Sequence, residues 1–181
     1  MARVKLLDLK EMDPALRETF IKMQANGFEL LNIYRVLAHS PPLCEQFMRF
    51  GNRVLFKAKL DAKLRELAIL RVAHLTRARY ERVQHEAIAQ RVGVTPQQVR
   101  ATRRWQGSRA FSDLERAVLQ FTDELTERIR VRQPTVRRVR RDLDEQELVE
   151  LTLTIGFYGM VARFLEGLQV DLEGKDFYRS R

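Results

Sequence analysis

Residues 60–93 read LDAKLRELAILRVAHLTRARYERVQHEAIAQRVG, and this stretch decides the fold. Leu60-Asp61 opens a helix that runs through Leu75, and after a short break a second helix runs from Tyr80 to Val92, with Gly93 as its stop. On the first helix Glu66 shares a face with Ile69, Leu70 and Ala73, which follow at helical spacings. On the second, Glu81 and His85 are four residues apart and therefore neighbours. Their stripe continues through Ile88, Ala89 and Val92, while Arg82, Glu86 and Gln90 gather on a polar side. The pattern predicts a helical hairpin with Glu81 and His85 turned inward.

Helix signals continue on both sides, and no strand signal competes with them. Asp13-Pro14 starts a helix that stops at Asn26-Gly27, and Phe28 to His39 carries a helical stripe of Leu30, Leu31, Tyr34, Leu37 and Ala38. Ser40-Pro41-Pro42 ends that segment and introduces a helix from Leu43 to about Lys59. Thr95-Pro96-Gln97-Gln98 and Ser112-Asp113-Leu114-Glu115 are capping boxes, the second opening a long helix to about Arg130. Pro134 begins a short helix, and Asp144 to Glu147 caps the last one. Its apolar positions Leu148, Leu151, Ile155, Phe157, Val161, Phe164 and Leu168 cover more than half its surface, so neighbours must cover it on several sides. The expectation is an all-α single domain over residues 1–181, built as a bundle of about eight helices.

The chain has 181 residues, 45% hydrophobic and 31% charged, with only 8 Gly and 5 Pro. This is globular usage, and it excludes collagen-like, disordered and disulfide-scaffold classes. Cys44 is the single cysteine, so nothing points to an oxidising compartment. The first residues lack the pattern of a signal peptide, and the apolar run from Leu153 to Ala162 is far shorter than the roughly 20 residues of a membrane span. A cytoplasmic address and no membrane partner are expected. The net charge of +9 invites a polyanion reading. Basic and acidic residues are interleaved except in Arg100 to Arg109 and Arg128 to Arg141, and Trp105 has no aromatic companions for a base-stacking platform. The Arg128 to Arg141 stretch reads as a solvated face or a contact with Asp142, Asp144 and Glu145, and no nucleic-acid partner is expected.

An inward His beside an inward Glu suits general acid/base work, because the carboxylate sets the tautomer and basicity of the ring. Plainer roles compete at each position. Glu81 and His85 also fit a half-buried surface pair, Glu66 a first-turn dipole partner, and Tyr80 an amphipathic core residue with its hydroxyl satisfied. Glu66, Glu81, His74 and His85 could be drawn as a metal set, but no His-x-x-x-His or Glu-x-x-His signature accompanies them, and no metal is expected.

The hairpin also resembles the carboxymuconolactone decarboxylase family, which is related to the AhpD-like alkylhydroperoxidase fold. The resemblance rests on Arg65-Glu66-Leu67, then Tyr80-Glu81-Arg82-Val83-Gln84-His85, then Gly93-Val94-Thr95. It extends outward through Ala38-His39-Ser40-Pro41, the segment Phe111 to Leu119 and the segment Gly156 to Phe164, covering roughly residues 25 to 170. The peroxidase branch implied by the resemblance has a Cys-x-x-Cys pair, whose positions fall here on Ala78 and Glu81. Neither is a thiol, so no dithiol–disulfide cycle runs and a peroxiredoxin-type function is not expected, even where a family-wide peroxiredoxin label carries over. Cys44 lies in another helix and reads as a small core residue.

The decarboxylase branch carries the Tyr-Glu-x-x-x-His form found here. It implies a lyase-type reaction on a small carboxylate or lactone, with no cofactor. In that reading His85 donates the proton, Glu81 or Glu66 orients it, and Tyr80 donates to the oxyanion. Arg163 or Arg71 seats the substrate carboxylate. Tyr158 and His74 are further substrate-binding candidates. Family members often carry Asn after that Tyr, where this chain has Gly159, and His74 replaces a usually small or polar residue, so the namesake substrate is not implied. The family habit and the apolar last helix imply a homo-oligomer, a trimer or hexamer. The alternatives are a peroxidase relative without dithiol activity and a non-catalytic oligomeric binding protein. Convergence of Glu66, Tyr80, Glu81 and His85 separates the readings.

Overall fold

In the computed structural model, which describes residues 2–174, several helices start where a side chain accepts from the first backbone N–H groups. Nine α-helices are found among the described residues, and no strand. They are α1 (Pro14–Ala25), α2 (Asn32–Leu37), α3 (Pro41–Phe56), α4 (Ala62–Leu75), α5 (Arg79–Arg91), α6 (Pro96–Ala101), α7 (Asp113–Arg128), α8 (Gln133–Val139) and α9 (Glu145–Leu168). Short 3-10 turns at Leu9–Glu11 and Thr102–Gly107 complete the set. The expected capping boxes form. Thr95 and Gln98 close α6, Ser112 and Glu115 close α7, and Asp144 and Glu147 exchange two 2.9 Å bonds ahead of α9.

The chain divides into two compact units, residues 2–52 with 165–174, and Arg53–Phe164. The single-domain expectation also spans residues 1 and 175–181, which lie outside the described residues. In the first unit Met12, Leu16, Phe20, Ala38, Cys44 and Met48 form a core, with Tyr34 stacked between Phe20 and Phe47. Burial there pushes the Cys44 thiol up to about 11, and Glu45 adds to the effect, so this thiol is poor in thiolate. One expected helix is shorter than its apolar stripe. Residues 28–31 are not helical, because Gly27 turns the chain at φ 82 and Leu31 is extended ahead of α2.

The second unit is organised on α4. Every residue from Leu64 to Ala73 is buried, and the helix packs against α5 on one side and α7 on another. One apolar cluster joins Leu64, Ala68, Ile69 and Val72 of α4 to Val118 and Phe121 of α7 and to Leu151, Ile155 and Tyr158 of α9. A second joins Leu67 and Leu70 to Ala89, Val94, Val99, Trp105 and Leu119. A helix this enclosed allows a polar side chain only where another element supplies a partner. Asp123 of α7 is such a partner, accepting from Arg71, from Trp105 Nε1 (3.0 Å) and from Gln106 Nε2 (3.1 Å). By length and composition α9 is apolar enough to cross a membrane, yet half of its most apolar stretch is buried inside the protein, as in a core helix.

Candidate active site

Glu66 sits in the middle of the enclosed helix, and its side chain is fully buried. Its Oε2 lies 2.7 Å from Nδ1 of His85 on the facing helix α5. A carboxylate only accepts, so Nδ1–H donates to it, and Nε2 takes no part in that bond. The His85 ring is also met edge-on by Tyr158 of α9, with centroids 4.8 Å apart. Phe157 packs perpendicular to Tyr158 at 5.4 Å. Three helices therefore fix one imidazole, which is 7% exposed.

Glu81 lies one turn before His85 and is 2% exposed. Neither of its oxygens has a hydrogen-bond partner among the described residues. Burial holds its carboxyl well above the usual carboxylate range, which favours the protonated form. Of the two carboxylates expected as candidates to orient His85, Glu66 is the one in hydrogen-bond contact with it. Same-helix spacing made Glu81 the nearer candidate, but His85 turns toward α4. Tyr80 is buried at the start of α5, beside these groups in the chain.

Neither guanidinium named from the sequence as a carboxylate seat is brought to the Glu66–His85 pair. Arg71 is buried and spent on Asp123 and on the carbonyls of Thr102 (3.1 Å) and Arg103 (2.9 Å), tying the 3-10 turn to α4 and α7. Arg163 is exposed on α9 and donates to Gly159 O at 2.7 Å. The guanidinium that does lie at the pair is Arg65, which sequence reasoning passed over. It is buried, with Nε 3.3 Å from Glu66 Oε1. Its signal was its place inside an apolar helix, where an unpaired cation would be costly.

His74 is half-buried and lies elsewhere, on a cavity lined by arginines. Burial, and then Arg82, Arg71 and Arg103, push it down to about 4. No group of three or more His, Cys, Asp or Glu among the described residues is arranged to hold a metal ion. The arginine-rich stretch does find acidic partners: Arg132 clasps Glu124 through Nε (2.8 Å) and Nη2 (2.6 Å), and Arg140 meets Glu145 at 3.2 Å.

This arrangement, a buried Glu on one helix and a His on the next, is the layout anticipated from the hairpin sequence. Residues 41–124 match the model of the carboxymuconolactone decarboxylase family. The match spans less than half of the chain, and the helical fold is AhpD-like. Among solved structures it is similar to an alkylhydroperoxidase AhpD core, an uncharacterized peroxidase-related protein from Ralstonia eutropha JMP134. That likeness has a TM-score of 0.85 and 16% identity, and covers 98% of this chain and 94% of that one. An uncharacterized peroxidase-related protein from Silicibacter sp. TM1040 gives a TM-score of 0.81 at 17% identity, covering 94% and 92%. A variant of the debrominase Bmp8 in complex with 2,3,4-tribromopyrrole gives 0.79 at 21%, covering 96% and 95%. At these identities the likeness establishes the fold. No curated protein sequence matches the chain. Ala78, fully buried just ahead of α5, and Glu81 stand where the resemblance places the peroxidase branch's two thiols.

Proposed function

We propose that this chain is a cofactor-free acid/base enzyme of the decarboxylase-like branch, acting on a small carboxylate or lactone. The observation that carries the reading is the buried 2.7 Å contact between Glu66 and His85, which fixes one ring nitrogen and leaves the other for chemistry. A pair so enclosed costs desolvation, and sites of that kind are common where proton transfer is the task.

In this reading the substrate's C–C bond to its carboxylate breaks, CO2 leaves, and the electron pair moves onto an adjacent carbonyl oxygen. His85 then delivers a proton to carbon. Glu66 holds the ring and steadies the imidazolium, as an orienting carboxylate does elsewhere. Tyr80 is the hydrogen-bond donor assigned to the oxyanion, joined by Glu81 in the protonated form that its burial favours. Arg65 is assigned to the substrate carboxylate, because it is the cation in contact with Glu66. Screening lactones, β-keto acids and aromatic carboxylates for CO2 release tests the reading. Release by the native protein that disappears in His85→Gln supports it, and release unaffected by that change removes His85 from the chemistry.

We also infer a homo-oligomer, a trimer or hexamer. Val149, Leu153 and Met160 are exposed along one side of α9, an apolar stripe that a second copy would cover. Light scattering on the native protein and on Leu153→Glu reads this directly, with a fall in mass expected for the variant.

A further inference from the structure

The polar side of α5 borders a cavity of about 650 Å3 that excludes Glu66 and His85. Its walls bring Ala73, His74 and Arg77 from the end of α4 together with Arg79, Arg82 and Glu86 of α5, Arg100 of α6 and Arg103 of the 3-10 turn. Five guanidiniums thus face one carboxylate, leaving a surplus of four positive charges. Glu86 pairs only with Arg82, at 2.8 Å. Among the described residues, Arg77, Arg79, Arg100 and Arg103 have no carboxylate partner.

Surface arginines ordinarily spread apart or pair with acids, because like charges repel. Here four separate segments deliver them to one concavity. Two further features favour an anion there. The helix α5, 13 residues long, begins on this wall, and Ala78 has no side-chain acceptor for its first N–H groups. Arg77 holds φ 59, the left-handed region that glycine fills without strain, yet this position carries a guanidinium on the cavity wall.

We propose that this cavity binds a small polyanion through a pyrophosphate-type group, at a site separate from the Glu66–His85 pair. Guanidinium forks match phosphate oxygens two at a time, and the volume lies in the range of small-molecule sites. A single monoanion would leave most of the charge surplus unmet, whereas two linked phosphates carry three to four negative charges. Inorganic pyrophosphate and a nucleoside diphosphate present the same recognised group, and they differ in whether the attached nucleoside adds affinity. Polar residues at the rim, Gln90 among them, are available to such an extension.

Calorimetry with the whole protein tests this, using inorganic pyrophosphate, ADP and citrate as probes. Saturable one-to-one binding of pyrophosphate is expected, tighter than citrate and weakened by salt. Arg77→Gly is the decisive variant, since glycine suits the backbone there and the fold is retained. With Arg79→Gln added, affinity should fall by about tenfold or more, as for loss of charge-assisted bonds. Arg137→Gln, on α8 away from the cavity lining, should leave it unchanged. Tighter binding of ADP than of pyrophosphate assigns the nucleotide form, and equal affinity assigns the free anion. Absent or non-saturable pyrophosphate binding overturns the proposal. So does binding that survives the double change, or that falls equally in Arg137→Gln. No outcome depends on catalysis, so failure here leaves the proposed reaction standing.

Discussion

Glu66 Oε2 and His85 Nδ1 are 2.7 Å apart across two helices, and the Arg65 guanidinium completes the contact from the other carboxylate oxygen. The three side chains are buried together and depend on one another. Glu66→Ala leaves Arg65 and His85 enclosed without their shared acceptor, and such a break costs about 3–5 kcal/mol. Urea titration of the variant should show that loss. Nitrogen NMR of native His85 should show Nδ1 protonated, and Glu66→Gln should lose that single tautomer.

Glu81 supplies a pH signature of the opposite sign to most carboxylates. Burial raises its pKa well above the ordinary 4.5, so folding favours the protonated form. A raised folded value means that the contribution to stability is complete below pH 4.5 and is lost as pH rises toward the folded value. Glu81→Gln removes the titration. The variant should therefore gain stability relative to the native protein as pH rises above 4.5, read as a widening gap in urea midpoints.

Glu124 behaves in the usual direction. Burial alone would raise it, but bonds from Arg132, Thr135 and Gln120 bring it down to about 2. Its contribution is present above pH 4.5 and is lost as pH falls through about 2. Glu124→Gln should cost about 1.5–3 kcal/mol at neutral pH, the range for hydrogen bonds to charged groups. It should also flatten the acid limb, as followed by circular dichroism.

Gly159 offers a stabilising change. It lies inside α9, and an added Cβ would meet only Arg163 Nη1, at 3.2 Å. The neighbour is the far end of a flexible side chain. Gly159→Ala should stabilise by about 0.5–1 kcal/mol, the helix preference of Ala over Gly, and raise the melting temperature.

Much of the fold was legible because helix ends depend on neighbours in sequence. Ser112 with Glu115 and Thr95 with Gln98 act within a single turn, so their residue types suffice. The segment 28–31 kept its apolar spacing but not its helix, since the positive φ of Gly27 and the extended Leu31 overrule periodicity. At the site, periodicity turned Glu81 and His85 inward and placed Glu66 on an apolar face. Which carboxylate meets His85 depends on how α4 and α5 face each other, and spacing along one helix does not contain that. Arg71 illustrates the same limit. Its partner Asp123 stands 52 residues away, so a structural anchor looked like a free cation. The arginine cavity draws on segments separated by turns, and only their convergence makes a site of them.

The central claim, that Glu66 and His85 perform proton transfer without a thiol, is tested most directly by turnover in heavy water. On a carboxylate or lactone that the native protein turns over, the product should carry solvent deuterium at the protonated carbon. His85→Gln should lower the rate by about a hundredfold or more, the usual contribution of a general acid or base. Cys44→Ala should leave the rate unchanged, since that thiol is buried in the other unit's core. Deuterium incorporation that persists in His85→Gln, or turnover lost with Cys44, would contradict the account.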